Sequence, residues 1–234
     1  MEKCRNTAIV LAAGQGKRMH SKIQKQFMEL GGIPVLCHSL RCFQESPQIR
    51  DIILVTGKEY VSWCKEEIVD KYGFSKVSAV VSGGKERYDS VYEGLCACKN
   101  TDYVLIHDGA RPFIDEAIIQ RGLSAAAETG ASVVGMPSKD TVKIADAEGN
   151  VSETPDRSRV WIVQTPQIFE YSLIYGAYTS IRTKDMTGIT DDAMVAEHET
   201  GVKIRFSEGS YQNIKITTPE DLAVAEAFLK ERQG

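Results

Sequence analysis

The chain has 234 residues, a formal net charge of −4, and a composition that is 42% hydrophobic and 26% charged. These values are ordinary for a globular enzyme, and the acidic balance argues against a nucleic-acid partner because no basic surplus exists to neutralise a phosphate backbone. No apolar run approaches the roughly 20 residues of a membrane span, and the N-terminus has no signal-peptide hydrophobic region. We therefore expect a cytoplasmic protein with no membrane partner.

Short apolar runs alternate with helical stretches along the whole chain. Strands are predicted at Thr7–Leu11, Ile52–Thr56, Lys76–Val81, Tyr103–His107, Ser132–Met136, Val160–Gln164 and Val202–Phe206. Helices are predicted at Pro34–Phe43, Glu59–Lys71, Arg87–Ala97, Glu116–Glu128, Ser172–Arg182 and from Pro219 onward. Continuous apolar strands are typical of a parallel sheet covered on both faces. We predict one α/β domain over residues 1–234, with a Rossmann-like, mostly parallel sheet and helices on both faces.

Residues 138–159 interrupt this alternation. The runs Asp140–Ile144 and Val151–Thr154 flank a Glu-Gly-Asn turn at 148–150, a pattern that predicts a protruding β-hairpin. The segment has few residues for a core of its own. It is either a solvated surface hairpin or an arm that packs on a partner subunit, and the residues alone favour neither.

The loop after the first strand is the strongest indication of function. Gly14 and Gly16 end the apolar run, and glycines let backbone N–H groups come close to a ligand. Cations that suit a polyanion follow them, namely Lys17, Arg18, Lys22 and Lys25. A loop of this kind is typical of a phosphate-binding site at a helix N-terminus.

Two well-known phosphate-binding loops do not match. Met19 stands where the dinucleotide fingerprint needs its third glycine, and no acidic residue follows at the end of a second strand about 20 positions on. The Gly-Lys-Ser/Thr of a Walker A loop is also missing. A nucleoside triphosphate fits better, since its transfer reactions depend mainly on positioning and electrostatic stabilisation. A purely structural turn remains the alternative.

Two more loops follow strands in the same manner. Gly83 and Gly84 precede a predicted helix, and Asp108 follows the strand that ends at His107. Ligands bind at the carboxyl ends of the strands in open parallel sheets. Asp108 would lie there and could hold a magnesium ion or a substrate hydroxyl, or it could simply cap the turn before Pro112.

Taken in order, these motifs resemble the cytidylyltransferases that act on polyol phosphates. The matching blocks are Leu11-Ala12-Ala13-Gly14 with Gly16 and Arg18-Met19, Lys25-Gln26-Phe27, Gly83-Gly84 with Glu86-Arg87, His107-Asp108 with Ala110-Arg111-Pro112, Thr165-Pro166-Gln167, Thr190-Asp191 and Asn213-Ile214-Lys215-Ile216-Thr217. Each block is weak alone, but their ordered combination is specific and covers nearly the whole chain. The resemblance implies a nucleotidyltransferase-type fold and a homodimer that transfers a cytidylyl group from CTP, with Mg²⁺, to a polyol phosphate.

The resemblance also implies the acceptor and the roles of single residues. The stretch Thr154–Trp161 resembles the branch that uses 2-C-methyl-D-erythritol 4-phosphate, in non-mevalonate isoprenoid biosynthesis, more than the branch that uses ribitol 5-phosphate. Transition-state stabilisation falls to Arg18 and Lys25. CTP binding falls to Ala12, Ala13, Gly14, Gly16, Gly84, Ser90 and Lys215. Binding of the polyol phosphate falls to Asp108, Arg111, Arg157, Thr165, Thr190 and Lys215.

Arg157 corresponds to an arginine that binds the polyol phosphate of the neighbouring subunit, so the resemblance favours residues 138–159 as a dimerisation arm. Direct metal ligands are not predicted. The chain departs from the family at Gln24, where proline is usual, and at Gly109, where alanine is usual. Both changes are expected to loosen the backbone locally. Two alternative functions lie outside this family. One is a nicotinamide-dependent oxidoreductase, which Met19 disfavours, and the other is a non-catalytic nucleotide-binding module.

Overall fold

The computed structural model describes residues 5–14, 24–182, 184 and 188–233. In chain order the strands are β1 Asn6–Ala12, β2 Glu29–Leu30, β3 Ile33–Pro34, β4 Ile49–Thr56, β5 Val77–Ser82, β6 Tyr103–Asp108, β7 Ala131–Pro137, β8 Ile144–Ala145, β9 Val151–Glu153, β10 Trp161–Glu170 and β11 Arg205–Glu208. The helices are α1 Val35–Glu45, α2 Val61–Trp63, α3 Arg87–Ala97, α4 Glu116–Thr129, α5 Tyr171–Ile181, α6 Asp192–Thr200 and α7 Pro219–Gln233. α2 continues as a π-helical segment, Cys64–Asp70.

Within the described residues, seven strands form one sheet in the order β11-β7-β10-β6-β1-β4-β5. β10 runs antiparallel to both of its neighbours, and the other pairs are parallel. The prediction of a mostly parallel sheet is therefore confirmed. The chain leaves β1 toward β4 on one side and later reaches β6 on the other. The carboxyl ends of β1 and β6 thus form the switch point at which such sheets bind ligands.

Helices cover both faces of this sheet, as predicted. On one face α1 and α4 bury Leu36, Leu40 and Ile118 against Ala8 and Val10 of β1. The opposite face is covered by α3, α5 and α6. It contains Ile9, Ile53, Val91, Leu95, Ile174, Tyr178 and Val195. Alternate residues of β1 thus enter two different cores, because successive side chains of a strand point to opposite faces.

The structure differs from several of the predicted elements. Helix α6 was not predicted, although its ends carry ordinary signals: Asp191 accepts a hydrogen bond from the Met194 N–H at 2.9 Å, and Gly201 closes the helix with a φ of 66°. The strand predicted to end at Gln164 continues to Glu170 as β10. The last strand begins three residues later than predicted, at Arg205.

The predicted hairpin is present as β8 and β9, which pair antiparallel. The Asp146 carboxylate accepts hydrogen bonds from the N–H groups of Glu148 and Asn150, and Gly149 has a φ of 89°. Both strands are exposed along their length. Among the described residues, none of the helices has the length and apolar character needed to cross a lipid bilayer.

Candidate active site

A cleft of about 650 Å³ opens at the switch point of the sheet. It is lined by Leu11, Ala12, Ala13, Gly14, Lys25, Gln26, Gly84, Lys85, Glu86, Arg87, Ser90, Asp108, Ala110 and Lys215. The sequence-predicted residues Ala12, Ala13, Gly14, Lys25, Gly84, Ser90, Asp108 and Lys215 are therefore brought together in it. They come from the carboxyl ends of β1, β5 and β6, from the turn at Lys25, from the start of α3 and from the segment before α7.

Two of these loops pack closely against each other, and glycine is what permits it. A Cβ on Gly83 would lie 2.6 Å from Ser90 Oγ and 2.8 Å from the Ala13 Cβ. Ser90 in turn accepts a hydrogen bond from the Gly84 N–H at 3.2 Å and donates one to the Glu86 carbonyl at 3.1 Å. The glycine pair and Ser90 thus hold the α3 N-terminus against the end of β1.

Asp108 is the centre of a cationic cluster. Its carboxylate lies 2.8 Å from Lys215 Nζ, 3.5 Å from Arg87 Nε and 4.0 Å from Arg111 Nε. Burial alone would raise the pKa of the Asp108 carboxyl, but these three cations together hold that pKa well below its ordinary value. Asp108 is therefore a fixed anion that orients cations, and it is unsuited to accept a proton.

Arg87 is shared between two carboxylates. Its guanidinium donates two hydrogen bonds of 2.8 Å to the fully buried Asp192, and the Tyr178 hydroxyl donates a third to the same carboxylate at 2.6 Å. Burial would lower the pKa of Arg87, but Asp192 and Asp108 raise that pKa well above its usual range. Burial and then Asp192 likewise raise the pKa of Tyr178. A charged network therefore joins α5 and α6 to the cleft.

The segment that carries Lys215 is fastened to the sheet on both sides of this residue. The Asn213 side chain donates to the carbonyl of Thr165 at 3.0 Å, and the Ile216 N–H donates to the carbonyl of Ala110 at 2.9 Å. Asn213 and Ile216 are both fully buried. Lys215 is thereby held over the end of β6, where its ammonium group meets Asp108.

Lys25 begins a single 3₁₀ turn, Lys25–Phe27. The Phe27 ring packs 4.8 Å from the Trp63 ring and 5.2 Å from the Tyr60 ring, centroid to centroid. The aromatic contacts with the helix after β4 hold the turn at the rim of the cleft.

Thr165 and Arg111 lie behind Asp108 and support the loop after β6. The Thr165 hydroxyl accepts a hydrogen bond from the Asp108 N–H and lies 3.1 Å from His107 Nδ1. His107 Nε2 faces the Arg111 carbonyl, which can only accept, so the neutral ring carries its proton on Nε2 and Thr165 donates to Nδ1. Arg111 also donates to the carbonyl of Asn213 at 2.7 Å. Thr165 and Arg111, which the sequence predicts to bind the polyol phosphate, therefore form hydrogen bonds within the protein.

Four of the predicted site residues that the structure describes do not line the cleft: Arg111 and Thr165, which lie behind Asp108, and Arg157 and Thr190. Arg157 lies in the exposed 3₁₀ turn Arg157–Arg159, where it donates to the carbonyl of Lys139 at 3.2 Å. Thr190 is exposed just before α6. The predicted residues Gly16 and Arg18 lie outside the described part of the chain.

The two departures from the family have local explanations in the structure. A Cβ on Gly109 would lie 2.8 Å from the Leu36 Cδ1 and 3.0 Å from the Leu11 carbonyl oxygen. Gly109 therefore belongs to a tightly packed contact, contrary to the expectation of a loosened backbone. Gln24 has a φ of −64°, the angle that proline would impose, and its side chain is hydrogen-bonded to Gln26.

Sequence reasoning assigned no role to Arg87, Asp192 or Gln26. Arg87 belongs to one of the matched motifs. Its position in the first turn of a helix, just after two glycines, is the signal that could have indicated a role in the site. Asp192 gave none, because it is 105 residues from Arg87 along the chain. In the described ranges, no cluster of three or more His, Cys, Asp and Glu side chains is arranged to hold a metal ion.

Comparison with known proteins places this geometry in a family. The sequence profile of the 2-C-methyl-D-erythritol 4-phosphate cytidylyltransferase family matches residues 6–231. A relative of that name from Lachnoclostridium phytofermentans is 52% identical over 100% of this chain and 99% of its own length. Another from Lachnospira eligens is 48% identical over 96% of this chain and 99% of its own.

Solved structures agree in fold. The 4-diphosphocytidyl-2C-methyl-D-erythritol synthase of Anaerococcus prevotii superposes with a TM-score of 0.86 at 35% identity, covering 98% of this chain and 97% of that one. The 2-C-methyl-D-erythritol 4-phosphate cytidylyltransferase of Thermus thermophilus gives a TM-score of 0.75 at 28% identity, over 95% and 98% of the two chains. The resemblance read from the sequence is therefore confirmed, and the chain belongs to the 2-C-methyl-D-erythritol 4-phosphate cytidylyltransferase family.

Proposed function

We propose that this protein transfers the cytidylyl group of CTP to 2-C-methyl-D-erythritol 4-phosphate, giving 4-diphosphocytidyl-2-C-methyl-D-erythritol and pyrophosphate in isoprenoid biosynthesis. The observation that carries the proposal is the cleft at the switch point, where Arg87 and Lys215 pair with the buried Asp108 carboxylate and Lys25 lines the same cleft beside a glycine-containing loop. Family membership identifies the nucleotide and the acceptor. We also propose that the reaction takes place in the cytoplasm, where nucleoside triphosphates are available.

The chemistry needs positioned charge and no protein nucleophile. A phosphate oxygen of the acceptor attacks the α-phosphorus of CTP in line, a new P–O bond forms, and the bond from the α-phosphorus to the β-bridging oxygen breaks. Negative charge develops on the oxygens around the α-phosphorus and on the departing pyrophosphate. Lys25 and Lys215 offset this charge in our proposal, together with Arg18, and preorganised cations are effective because they need no rearrangement during the reaction.

The backbone at the ends of β1 and β5 receives the nucleotide in this proposal. Ala12, Ala13 and Gly14 cradle the triphosphate, with Gly16 continuing the loop. Gly84 and Ser90 lie on the opposite wall and contact the cytosine and ribose. The close packing of Gly83 on Ala13 supports this assignment, because it brings the two walls together at the inner end of the cleft.

We propose that Mg²⁺ binds together with the triphosphate. The two acidic side chains that line the cleft already have partners: Asp108 is ion-paired with three cations, and Glu86 forms a capping box with Asp89 at the start of α3. This donor set does not resemble a protein-built magnesium cage, so triphosphate oxygens and water would supply most of the ligands. The ion supplies positive charge to the phosphates.

The test is pyrophosphate release from CTP and Mg²⁺ with two acceptors assayed side by side. We expect turnover with 2-C-methyl-D-erythritol 4-phosphate and much lower kcat/KM with ribitol 5-phosphate. Preference for ribitol 5-phosphate would reassign the acceptor and leave the chemistry intact. Release with neither acceptor, despite CTP binding, would support a nucleotide-binding module instead.

We further propose a homodimer in which residues 138–159 form an arm that reaches the partner subunit. Support comes from a cluster of exposed apolar side chains around β10, β11 and the hairpin, and from the Trp161 ring stacked 4.9 Å from the Phe206 ring. The exposed members are Ile144, Val151, Ile162, Val163, Phe206 and Tyr211. Such a patch is typical of an interface. Arg157 borders it and would bind the polyol phosphate in the partner's cleft.

Mixing two impaired variants tests this arrangement, with the polyol phosphate held far below the KM of Arg157→Ala. Lys25→Ala and Arg157→Ala each disable a different half of a shared site, so a mixed dimer regains one complete site. After subunit exchange at equal amounts, we expect about a quarter of the wild-type activity, since half of the dimers are mixed and each has one intact site of two. Activity that stays at the sum of the separate variants would contradict the shared site. Phe206→Glu should give monomers by light scattering, whereas Val224→Glu on α7 should not.

A further inference from the structure

We propose that Gln26 is a positioning residue of the active site, whose side-chain amide fastens the nucleotide loop at residues 12–14 to the turn that carries Lys25. The inference rests on the proposed function and deepens it. It explains how a catalytic cation on one short turn is kept at a set distance from a phosphate-binding backbone on another.

The contacts of the amide are short and converge on one nitrogen. Gln26 Nε2 lies 2.6 Å from the Ala12 carbonyl oxygen, 3.1 Å from the Gly14 carbonyl oxygen and 2.6 Å from Gln24 Oε1. Gln26 is 2% exposed. The NH₂ group has two hydrogens for three acceptors, so at least one hydrogen is shared. A side chain that only accepts hydrogen bonds, or one that makes none, cannot replace this amide.

These bonds restrict the direction of the loop backbone. In a trans peptide the carbonyl of one residue and the N–H of the next point in opposite directions. Holding the Ala12 carbonyl on Gln26 therefore also sets the direction of the Ala13 N–H. A loop that binds phosphate through its N–H groups depends on such directions.

The same bonds restrict the turn. Phe27 anchors one side of the turn on Trp63 and Tyr60, and Gln26 anchors the other side on the end of β1. Lys25 precedes Gln26 directly and lines the same cleft. The Gln26 amide therefore links the turn that carries Lys25 directly to the backbone of the nucleotide loop.

Two substitutions at one position separate positioning from folding. Gln26→Met keeps the length of the side chain and removes all three hydrogen bonds. We expect kcat to fall at least tenfold and the Kd for CTP, measured by calorimetry without acceptor, to rise at least threefold, while the KM for the polyol phosphate stays within twofold. A role confined to stability would lower Tm and leave these ratios unchanged.

Gln26→Glu adds a readout that a structural role would not move. An ionised carboxylate can only accept, and it would face three oxygen atoms, so activity should be lost at pH 8. Once protonated, the acid again donates one hydrogen bond. We therefore expect the activity of Gln26→Glu relative to wild type to rise severalfold as the pH is lowered from 8 to 6.

Gln44 offers matched controls. Its amide also forms side-chain hydrogen bonds, to the Ser75 hydroxyl and from the Lys76 N–H, but Gln44 lies outside the cleft. Gln44→Met and Gln44→Glu should leave kcat, the Kd for CTP and the pH profile as in wild type. If Gln26→Met is insoluble, Gln24→Ala decides the question. It removes one of the three bonds and should lower kcat two- to threefold.

The outcomes distinguish this inference from the proposed function. If the wild-type enzyme turns over and Gln26→Met stays within twofold of it in kcat and in the Kd for CTP, the inference about Gln26 is overturned and the proposed function stands. An unchanged pH profile of Gln26→Glu would overturn that inference too. If the wild-type protein binds CTP but turns over neither acceptor, the proposed function is overturned. Weaker CTP binding by Gln26→Met would then still support the role of Gln26 in positioning the nucleotide loop.

Discussion

The buried pair between Arg87 and Asp192 is the feature whose removal should disturb this protein most. In Asp192→Asn, the remaining Oδ1 can still accept from Arg87 NH1 and from the Tyr178 hydroxyl, which both bond to that atom. The new amide nitrogen replaces the oxygen that accepts from Arg87 NH2 at 2.8 Å. Two donors then face each other, and Arg87 loses its bidentate partner.

The magnitude follows from burial. Asp192 is fully buried, and breaking a buried ion pair by removing one partner costs about 3–5 kcal/mol in the free energy of unfolding. The lower end of this range, about 3 kcal/mol, is expected here, because the Arg87 side chain is 31% exposed and keeps its pair with Asp108. For a chain of this size, a loss of about 3 kcal/mol corresponds to a decrease in Tm of roughly 6–12 °C. Urea titration and calorimetry measure the two quantities.

Asp102→Asn is the matched control. Asp102 also pairs with an arginine, at 3.0 Å from Arg5, but its side chain is 37% exposed. Exposed pairs contribute about 1 kcal/mol or less, so this variant should be close to wild type. The reasoning would be refuted if Asp192→Asn lost no more stability than Asp102→Asn.

Three further outcomes are expected. Lys25→Ala should lower kcat by a factor of ~10² or more, the scale of losing one stabilising donor, whereas Lys58→Ala should not; a near-normal kcat would remove Lys25 from the mechanism. Arg157→Ala should mainly raise the KM for the polyol phosphate and leave the Kd for CTP unchanged, whereas Arg159→Ala should leave that KM as in wild type. Weaker CTP binding by Arg157→Ala with unaltered polyol affinity would contradict this. Burial lowers the pKa of His107 from 6.5 to about 4, so between these values the unfolded chain binds a proton that the folded chain does not. Stability should therefore decrease, by on the order of 3 kcal/mol, as the pH falls from 6.5 toward 4. Urea titrations across this range should show a smaller decrease for His107→Gln, and equal slopes would rule out the assignment.

Local signals predicted most elements but failed where tertiary contacts outweighed them. The sequence predicts a strand that ends at Gln164, and Pro166 just beyond it has no N–H for the ladder. The sheet instead accommodates the proline in a register shift between Val163 and Gln167. Beyond the shift, pairing with β7 resumes and pairing with β6 begins. Helix α6 was missed because its buried face includes Asp192, a charged residue that breaks an apolar pattern.

The sequence by itself determined the order of most strands and helices, the glycine-containing loops at strand ends, the hairpin, and the family to which these ordered motifs belong. Each of these follows from periodicity or turn chemistry within a few residues, or from motifs that keep their order along the chain. Only the tertiary structure showed that Arg87 divides its charge between Asp108 and Asp192, and that Gln26 joins two loops. Those contacts arise when distant segments meet at one edge of the sheet, and which side chains then face one another depends on the packing of the whole domain.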